Sequence, residues 1–333
     1  MPFSKLIGND LVKVALTKMI EASCVPNTLL FYGPEGVGKS LFALQFAALL
    51  IEGKADSRSR VMSGTHPDIH RYSPEGKSGT HPVENMRHLV SEVILPPYEA
   101  PAQVFIIEEA HRMLPYSSNA LLKTLEEPPP NTYFILLTNE LDAMLPTIVS
   151  RSRKIAFFPI AQKALEAFIQ QKWNKTEEEA RRIAFLSHGS MARAEQLTLH
   201  RELAWRAPLL DLLTLHLPFD HPQFLKLALE IENGCLIPAE EEESASILPA
   251  DALFEEIIAW YRDLELLRAG VSLEHLYHLE RLEALKSFSL IRPSVPLEKV
   301  LDCAVHSRLA LQRNIKLRTV LEHFFLALLT LRT

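Results

Sequence analysis

The chain has 333 residues and a net charge of −6, with 47% apolar and 23% charged residues. These values are typical of a soluble globular protein of two or three domains, and no segment is long and uncharged enough to span a bilayer. Three widely separated cysteines argue against a disulfide framework and a zinc site. The start of the chain has no export signal, so we expect a cytoplasmic protein. Because the chain is acidic overall, contact with nucleic acid requires a local patch or a partner.

Short apolar strands alternate with helical patterns over the first 160 residues. The patterns predict helices at 11–23, 41–51, 82–95 and 117–127, and strands at 28–32, 103–107 and 133–137. Residues 53–82 are rich in Gly, Ser, Asp and Pro and lack periodicity, which predicts a long loop or insertion. The alternation predicts an α/β fold whose parallel sheet is covered by helices on both faces.

The pattern changes to helices alone after Phe158 and Pro159. Residues 160–200 predict a small helical unit, and helices continue beyond it, with apolar stripes at 251–268 and 308–331. The acidic run at 240–243 is interpreted as a solvated linker without a binding role. We therefore predict an α/β core at 1–159, a helical lid at 160–202 and an all-α domain at 203–333.

A complete phosphate-binding loop stands between the first predicted strand and its helix. It consists of Gly33, Pro34, Glu35, Gly36, Val37, Gly38, Lys39 and Ser40. The glycines let backbone N–H groups turn toward a phosphate, where a Cβ would obstruct them. Lys39 offers a positive charge to the β- and γ-phosphates, and the Ser40 hydroxyl is placed to bind Mg²⁺. The loop therefore predicts a site for a nucleoside triphosphate.

Two polar pairs follow the predicted strands at 103–107 and 133–137. Glu108 and Glu109 stand where P-loop ATPases have an acidic Walker B pair, in which the first carboxylate holds Mg²⁺ and the second orients water. Asp is usual at the first position, and the longer Glu108 is expected to disturb the octahedral metal shell. A solvated acidic strand end is the alternative interpretation. Thr138 and Asn139 are candidates for hydrogen bonds to the γ-phosphate, although Asn is also common in turns.

Other polar residues carry weaker signals. Arg151 and Arg153 form a pair that, on its own, is interpreted as a surface feature. Five scattered histidines do not form a convincing metal or catalytic set and are interpreted as surface or capping residues. They are His66, His70, His81, His88 and His111.

Several motifs occur in an order that is typical of one protein family. They are Ile7-Gly8-Asn9, the phosphate loop, His66-Pro67-Asp68, the stretch NALLKTLEEPP at 119–129 and LPTIVSRS at 145–152. They resemble the amino-terminal box, the Walker A loop, the segment after the zinc insertion, the signature stretch and the arginine-finger motif of delta-prime-type bacterial clamp-loader subunits. These subunits belong to the AAA+ family. The last third matches more loosely, at 261–264 and 312–314.

The resemblance implies a role in a hetero-pentameric ring that opens a sliding clamp and loads it onto primed DNA. Arg151 would then be a finger that reaches the γ-phosphate bound by a neighbouring subunit. Ile7 would lie beside the adenine, and residues 203–333 would form the collar that holds the ring together.

Departures from the family pattern limit the expected activity. The family's zinc-binding cysteines are absent, so no zinc is expected. Ala192 stands at the position of the sensor-2 arginine, and Arg193 lies about 100° further round the helix. Together with Glu108, this predicts ATP and Mg²⁺ binding with weak or no hydrolysis.

Two other functions stay open at this point. The first is an autonomous AAA+ motor for DNA remodelling or branch migration, which requires an effective sensor-2 arginine and a homo-oligomer. The second is a stand-alone nucleotide switch or kinase, which leaves the helical last third unexplained. Polymerase chemistry is not expected, because nothing in the sequence resembles a palm carboxylate site.

Overall fold

The computed structural model describes most of the chain, as two compact units, Met1–Gln196 and Leu197–Thr333. The described residues are 2–51, 57–75, 79–199, 205–214, 221–235, 248–273, 276–290, 295–313 and 315–330. The acidic run at 240–243 and Asn314 of the motif at 312–314 lie outside these ranges. In the part of the chain that is described, no helix is long and apolar enough to cross a membrane.

A five-stranded parallel sheet organises the first unit. Its strands are β1 (Thr28–Tyr32), β2 (Ile69–Tyr72), β3 (Gln103–Ile107), β4 (Thr132–Thr138) and β5 (Arg153–Ala156). They lie in the order β2-β3-β4-β1-β5. The central strands are almost wholly buried, because helices cover both faces of such a sheet. The predicted α/β fold with a parallel sheet is confirmed.

Six helices cover the two faces of the sheet. They are α1 (Asp10–Glu21), α2 (Lys39–Leu50), α3 (Ser57–Met62), α4 (Val83–Val93), α5 (Pro115–Glu126) and α6 (Pro146–Arg151). Phe31 of β1 packs with residues of α1, α2 and α3 on one face. Leu30, the preceding residue, packs with α4, α5 and α6 on the other face. Successive side chains of a strand point to opposite faces, so β1 contributes to both cores.

The prediction that residues 53–82 form a loop or insertion was wrong. This segment contains α3 and β2, and β2 pairs with β3. The sequence pattern hid β2 because it is an edge strand with polar residues at His70 and Arg71. Strand β5, at the opposite edge, was not predicted for the same reason, since Arg153 and Lys154 are exposed. Edge strands lack the continuous apolar run that identifies a buried strand.

Asp68 of the His66-Pro67-Asp68 motif has a clear structural role just before β2. Its buried carboxylate accepts backbone N–H bonds from Tyr98 at 2.5 Å, Glu99 at 3.0 Å and Ala100 at 2.9 Å. These bonds satisfy the turn that leads from α4 into β3. Charge-assisted bonds of this kind are stronger than neutral ones, so the motif fixes the edge of the sheet.

Three further helices follow the sheet: α7 (Gln162–Trp173), α8 (Glu177–Leu186) and α9 (Met191–Leu199). Helix α8 begins with a capping box, in which Thr176 and Glu179 satisfy each other's backbone N–H groups. The predicted helical character of this region is confirmed. Residues 160–196 fall within the same compact unit as the sheet. Their status as a separate lid domain stays a prediction.

The second unit contains only helical elements among its described residues. Its helices are α10 (Arg206–Leu213), α11 (His221–Cys235), α12 (Leu248–Arg268), α13 (Leu282–Ser289), α14 (Leu297–Gln312) and α15 (Leu317–Thr330), with one short 3₁₀ turn at Leu279–Arg281. The single helix predicted at 308–331 was wrong, because α14 ends at Gln312. There the Ile315 N–H turns back to the Ala310 carbonyl at 3.2 Å, which closes the helix before α15 begins.

A buried network of charged groups lies inside the second unit. Fully buried His278 has Nδ1 2.9 Å from Oδ2 of Asp263 and Nε2 3.2 Å from Oε1 of Glu256. Arg206 donates to Glu256 from Nε, and from Nη2 to Oε1 of Glu280 at 2.5 Å. Burial alone would lower the pKa of His278, but hydrogen bonds to the two carboxylates outweigh it and raise that pKa. His278 and Arg206 therefore share the carboxylate of Glu256.

Candidate nucleotide site

The phosphate-binding loop connects β1 to α2 in a conformation that needs glycine. Gly33, Gly36 and Gly38 have φ values of 144°, 73° and 96°. A Cβ at Gly33 would lie 2.2 Å from the carbonyl oxygen of Phe157, and one at Gly36 would lie 2.0 Å from Oγ of Ser190. Both the backbone angles and the packing therefore exclude a side chain. Since α2 begins directly after Gly38, its first N–H groups face the loop, as an anion-binding helix terminus requires.

A cavity of about 430 Å³ opens beside this loop. It is lined by loop and helix residues, by the ends of β3 and β4, and by α9. The lining residues are Glu35, Gly36, Gly38, Lys39, Ser40, Leu41, Glu108, Glu109, Leu137, Thr138, Asn139, Met191, Ala192 and Glu195. The volume is in the range of small-molecule sites. The predicted phosphate loop, acidic pair and Thr138–Asn139 pair meet there, because the carboxyl ends of parallel strands lie at the same edge of the sheet.

Lys39 lies part-buried at the base of this cavity. Its Nζ donates to the carbonyl oxygens of Gly33 and Pro34, each at 2.7 Å. Burial lowers the pKa of Lys39 to about 8, although the charges of Glu35 and Glu109 act in the opposite direction. The amine is therefore mostly protonated at neutral pH and available to a phosphate.

The acidic pair lines the cavity, but each of its side chains has an arginine partner. Oε1 of Glu108 is 2.7 Å from Nη2 of Arg71 on β2. Oε2 of Glu109 is 2.8 Å from Nε of Arg112, in the short 3₁₀ turn at Ala110–Arg112. The loop and Lys39 fit the phosphates of a nucleotide. One oxygen of each carboxylate is engaged by an arginine, so the residues fit the triphosphate better than a Mg²⁺ ion.

Thr138 and Asn139 at the end of β4 take different positions. The buried Thr138 hydroxyl lies 3.1 Å from Nδ1 of His111 and donates to the carbonyl of Glu140 at 3.1 Å. The backbone carbonyl oxygen of Thr138 accepts a hydrogen bond from the N–H of Gly33 at 3.2 Å, which connects β4 to the phosphate loop. The geometry of Thr138 is that of a structural link. Asn139 is exposed at the cavity and keeps its candidate role toward the γ-phosphate.

The beginning of α9 contacts the phosphate loop directly. The carbonyl oxygen of Gly36 accepts N–H bonds from Met191 at 2.8 Å and Ala192 at 3.3 Å. Ala192 lines the cavity, whereas Arg193 is not among the described residues that line it. The side chain at the expected sensor-2 position is therefore a methyl group, which offers no charge to a phosphate.

Comparisons with known proteins show that the chain is similar to subunits of DNA polymerase III. Residues 8–161 match the sequence model of a family described as DNA polymerase III, delta subunit. The delta-prime subunit of DNA polymerase III from Bacillus subtilis is 27% identical over 94% of this chain and 94% of its own length. Over nearly its whole length, this chain is therefore similar to a delta-prime subunit of DNA polymerase III. The delta-prime subunit from Pseudomonas aeruginosa is 32% identical, over 50% of this chain and 54% of its own length.

Another relative and two solved structures are also similar to this chain. The gamma/tau subunit from Mycoplasma pneumoniae is 27% identical over 57% of this chain, which spans only 29% of that relative. A solved gamma subunit-related protein from Thermotoga maritima covers 92% of this chain and is itself covered to 99%, at 17% identity and a TM-score of 0.43. The RuvB branch migration motor from the same organism covers 84% and is covered to 88%, at 22% identity and a TM-score of 0.44. The similarity to DNA polymerase III subunits rests on the sequence relatives.

Arg151 does not line the nucleotide cavity of this chain. It is the last residue of α6, and its side chain is 37% exposed. Nη2 is 2.5 Å from Oε1 of Glu126 at the end of α5, and Nη1 donates to the carbonyl of Thr147 at 2.9 Å. Among the described residues that line the cavity, Arg151 does not occur. Its guanidinium is therefore held at the surface by residues of its own chain.

Four other predicted site residues are also not among the described residues that line the cavity: Ile7, Gly33, Pro34 and Val37. Val37 is buried in the core beneath the loop. Pro34 contributes its carbonyl oxygen to Lys39. A place for Ile7 beside an adenine stays a prediction.

The interpretation of the histidines as surface or capping residues was wrong for three of them. His66 and His81 are buried, and the side chain of His111 is only 6% exposed. Nε2 of His81 lies 2.7 Å from the carbonyl oxygen of Glu108, so His81 supports the site. Sequence reasoning missed His81 and Arg71 because both lie in or beside the segment interpreted as a loop. A polar residue of an edge strand carries no pattern that reveals its contact.

Proposed function

We propose that this chain is a clamp-loader subunit of a bacterial DNA polymerase III assembly. In this role it holds a nucleotide with little hydrolysis and supplies Arg151 to the ATP site of a neighbouring subunit. The assembly would use ATP to open a sliding clamp and load it onto primed DNA, in the cytoplasm. The nearly full-length similarity to a delta-prime subunit supports the role in general.

The position of Arg151 is the observation that carries the specific part of this proposal. An arginine that served the chain's own nucleotide would lie at the cavity, whereas Arg151 is exposed at the end of α6. A guanidinium held at the surface can reach a phosphate on another subunit. Such a finger stabilises the charge that develops on the transferred phosphoryl group.

The chain's own site supports binding more than turnover. Hydrolysis in P-loop ATPases requires a metal-holding carboxylate and a group that orients water. Here the two candidates, Glu108 and Glu109, are paired with Arg71 and Arg112. Ala192 also contributes no charge at the lid side of the cavity. We therefore propose ATP binding with weak or no intrinsic hydrolysis.

An apolar stripe on α14 supports assembly with other helical subunits. Leu301, Val305 and Leu309 are each more than 40% exposed and are spaced four residues apart. Residues at this spacing share one face of a helix and can pack against a helix of a partner. The occupant that we propose for this face is the helical carboxyl-terminal domain of a neighbouring clamp-loader subunit.

Replacing Arg151 tests the proposed role in a reconstituted assembly with the sliding clamp and primed DNA. We expect Arg151→Ala to leave the assembly intact, because the side chain is not part of the core. ATP hydrolysis by the assembly should fall sharply, since a trans arginine contributes about 10³-fold or more in rate at its site. Arg153→Ala, which removes an exposed arginine two residues away, is the matched control and should leave hydrolysis unchanged. An intact assembly that hydrolyses ATP at the wild-type rate with Arg151→Ala would show that the finger role is wrong.

A further inference from the structure

The edge strand β2 reaches the acidic pair of the nucleotide site. Arg71 pairs in register with Ile106 of β3, and Glu108 follows Ile106 by two residues. Side chains two apart in a strand lie on the same face, so Arg71 and Glu108 are diagonal neighbours. Their Nη2 and Oε1 atoms are 2.7 Å apart, a charge-assisted hydrogen bond.

Residues of β2 and of the loop that follows it also bind the backbone of Glu108. Its N–H donates to the carbonyl of Tyr72, the last residue of β2, at 2.8 Å. Its carbonyl oxygen accepts from Nε2 of the fully buried His81 at 2.7 Å. Because a carbonyl oxygen can only accept, Nε2 of His81 carries the proton in this bond. Glu108 is thus fixed through its N–H, its carbonyl and its carboxylate.

A carboxylate held in this way is a poor ligand for Mg²⁺. This ion requires nearly ideal octahedral geometry with oxygens at about 2.0–2.1 Å, and it tolerates little error in ligand position. One oxygen of Glu108 is already engaged by a guanidinium, and the other carboxylate of the pair, Glu109, contacts Arg112. The guanidinium groups of Arg71 and Arg112 already offset the negative charges of these two carboxylates. A bound metal ion would otherwise do this.

We propose that Arg71 is a positioning residue that withholds Glu108 from Mg²⁺, so that this site binds nucleoside triphosphates almost independently of the metal. Lys39, the loop N–H groups and the start of α2 supply the attraction for the phosphates. The inference rests on the nucleotide-holding part of the proposed function. It gives the edge strand β2 a role at the nucleotide site.

Measurement of nucleotide affinity with and without Mg²⁺ tests this inference on the isolated full chain. A fluorescent ATP analogue is titrated in buffer that contains Mg²⁺ and, separately, in buffer with EDTA. We expect the two affinities of the wild type to agree within about twofold. Arg71→Gln frees Glu108, and its affinity in Mg²⁺ should exceed that in EDTA by about tenfold. The exposed Arg153→Gln on β5, at the opposite edge of the sheet, is the matched control and should behave as the wild type.

A double variant shows whether the Mg²⁺-dependent increase in affinity of Arg71→Gln requires the carboxylate of Glu108. If Arg71 acts on this carboxylate, Arg71→Gln combined with Glu108→Gln should return the ratio of affinities to near one. The inference is overturned if the wild type already loses about tenfold in EDTA, or if Arg71→Gln retains the wild-type ratio while its melting temperature is unchanged. Absence of nucleotide binding by the wild type in both buffers would also overturn it. The ATP hydrolysis measured with Arg151→Ala takes place at the site of a neighbouring subunit. Its interpretation therefore does not depend on any of these results.

Discussion

Lys39 is the residue on which binding at the proposed nucleotide site depends most directly. Its amine is part-buried in the phosphate loop, and burial lowers its pKa to about 8. A lowered pKa means that the charge is present at neutral pH and is lost as the pH rises through about 8. Attraction to the phosphates should therefore decrease over the same range.

We predict that the affinity for a fluorescent ATP analogue falls as the pH is raised from about 7 to about 9. Lys39→Ala should bind much more weakly at both pH values and show no such fall, because the titrating amine is gone. Lys154→Ala, which removes an exposed lysine on β5, should retain the wild-type profile. Equally weak signals from the wild type and Lys39→Ala would show that the loop does not hold nucleotide.

Single residues of the site were predictable to different degrees. Lys39, Ser40 and the glycines form a contiguous motif whose chemistry follows from the sequence alone. The partners of Glu108 were not predictable in the same way. Arg71 is separated from it by 37 residues and His81 by 27, and only the pairing of β2 with β3 brings them together. Contacts that depend on strand register require the fold first.

Among the elements, α10, α12 and the turn around His278 share the buried charged network of the second unit. Arg206 is nine-tenths buried, and it neutralises Glu256, which is fully buried. Burial alone would raise the pKa of Glu256, but His278 and Arg206 outweigh it and lower that pKa. Removing one member of such a network leaves a buried charge without sufficient compensation.

We predict that Arg206→Met lowers the free energy of unfolding by about 3–5 kcal/mol, measured by urea denaturation of the full chain. The matched control is Arg281→Met, which breaks an exposed ion pair with Asp211 at 2.7 Å. An exposed pair contributes about 1 kcal/mol or less, so this control should be nearly neutral. Equal effects of the two substitutions would contradict a structural role for the buried network.

The elements also show why sequence patterns located some strands and missed others. Strands β1, β3 and β4 lie in the middle of the sheet and are continuous apolar runs, which the sequence displays directly. Strands β2 and β5 lie at the two edges, where polar side chains can reach solvent and interrupt the apolar run. These side chains are His70, Arg71, Arg153 and Lys154. The boundary between α14 and α15 was missed because apolar residues recur on both sides of it at helical spacing.

At the scale of the whole molecule, the proposed function is that of a subunit that acts through its partners. The net charge of −6 leaves no general attraction to DNA, so engagement of primed DNA would come through the assembly or a local patch. The first unit contains the nucleotide site and Arg151, and the second contains the exposed stripe of α14. Both proposed functional surfaces need a neighbour before they have an effect. This dependence on partners separates the proposal from an autonomous motor, which would build its ring from copies of itself.

The native mass of the assemblies formed by this chain tests that claim most directly. The purified chain is measured alone with ATP, and then together with the other clamp-loader subunits of its own organism. We predict that the chain alone forms no ring and that it enters a mixed assembly when its partners are present. A closed ring made only of copies of this chain, with no uptake into a mixed assembly, would contradict the account.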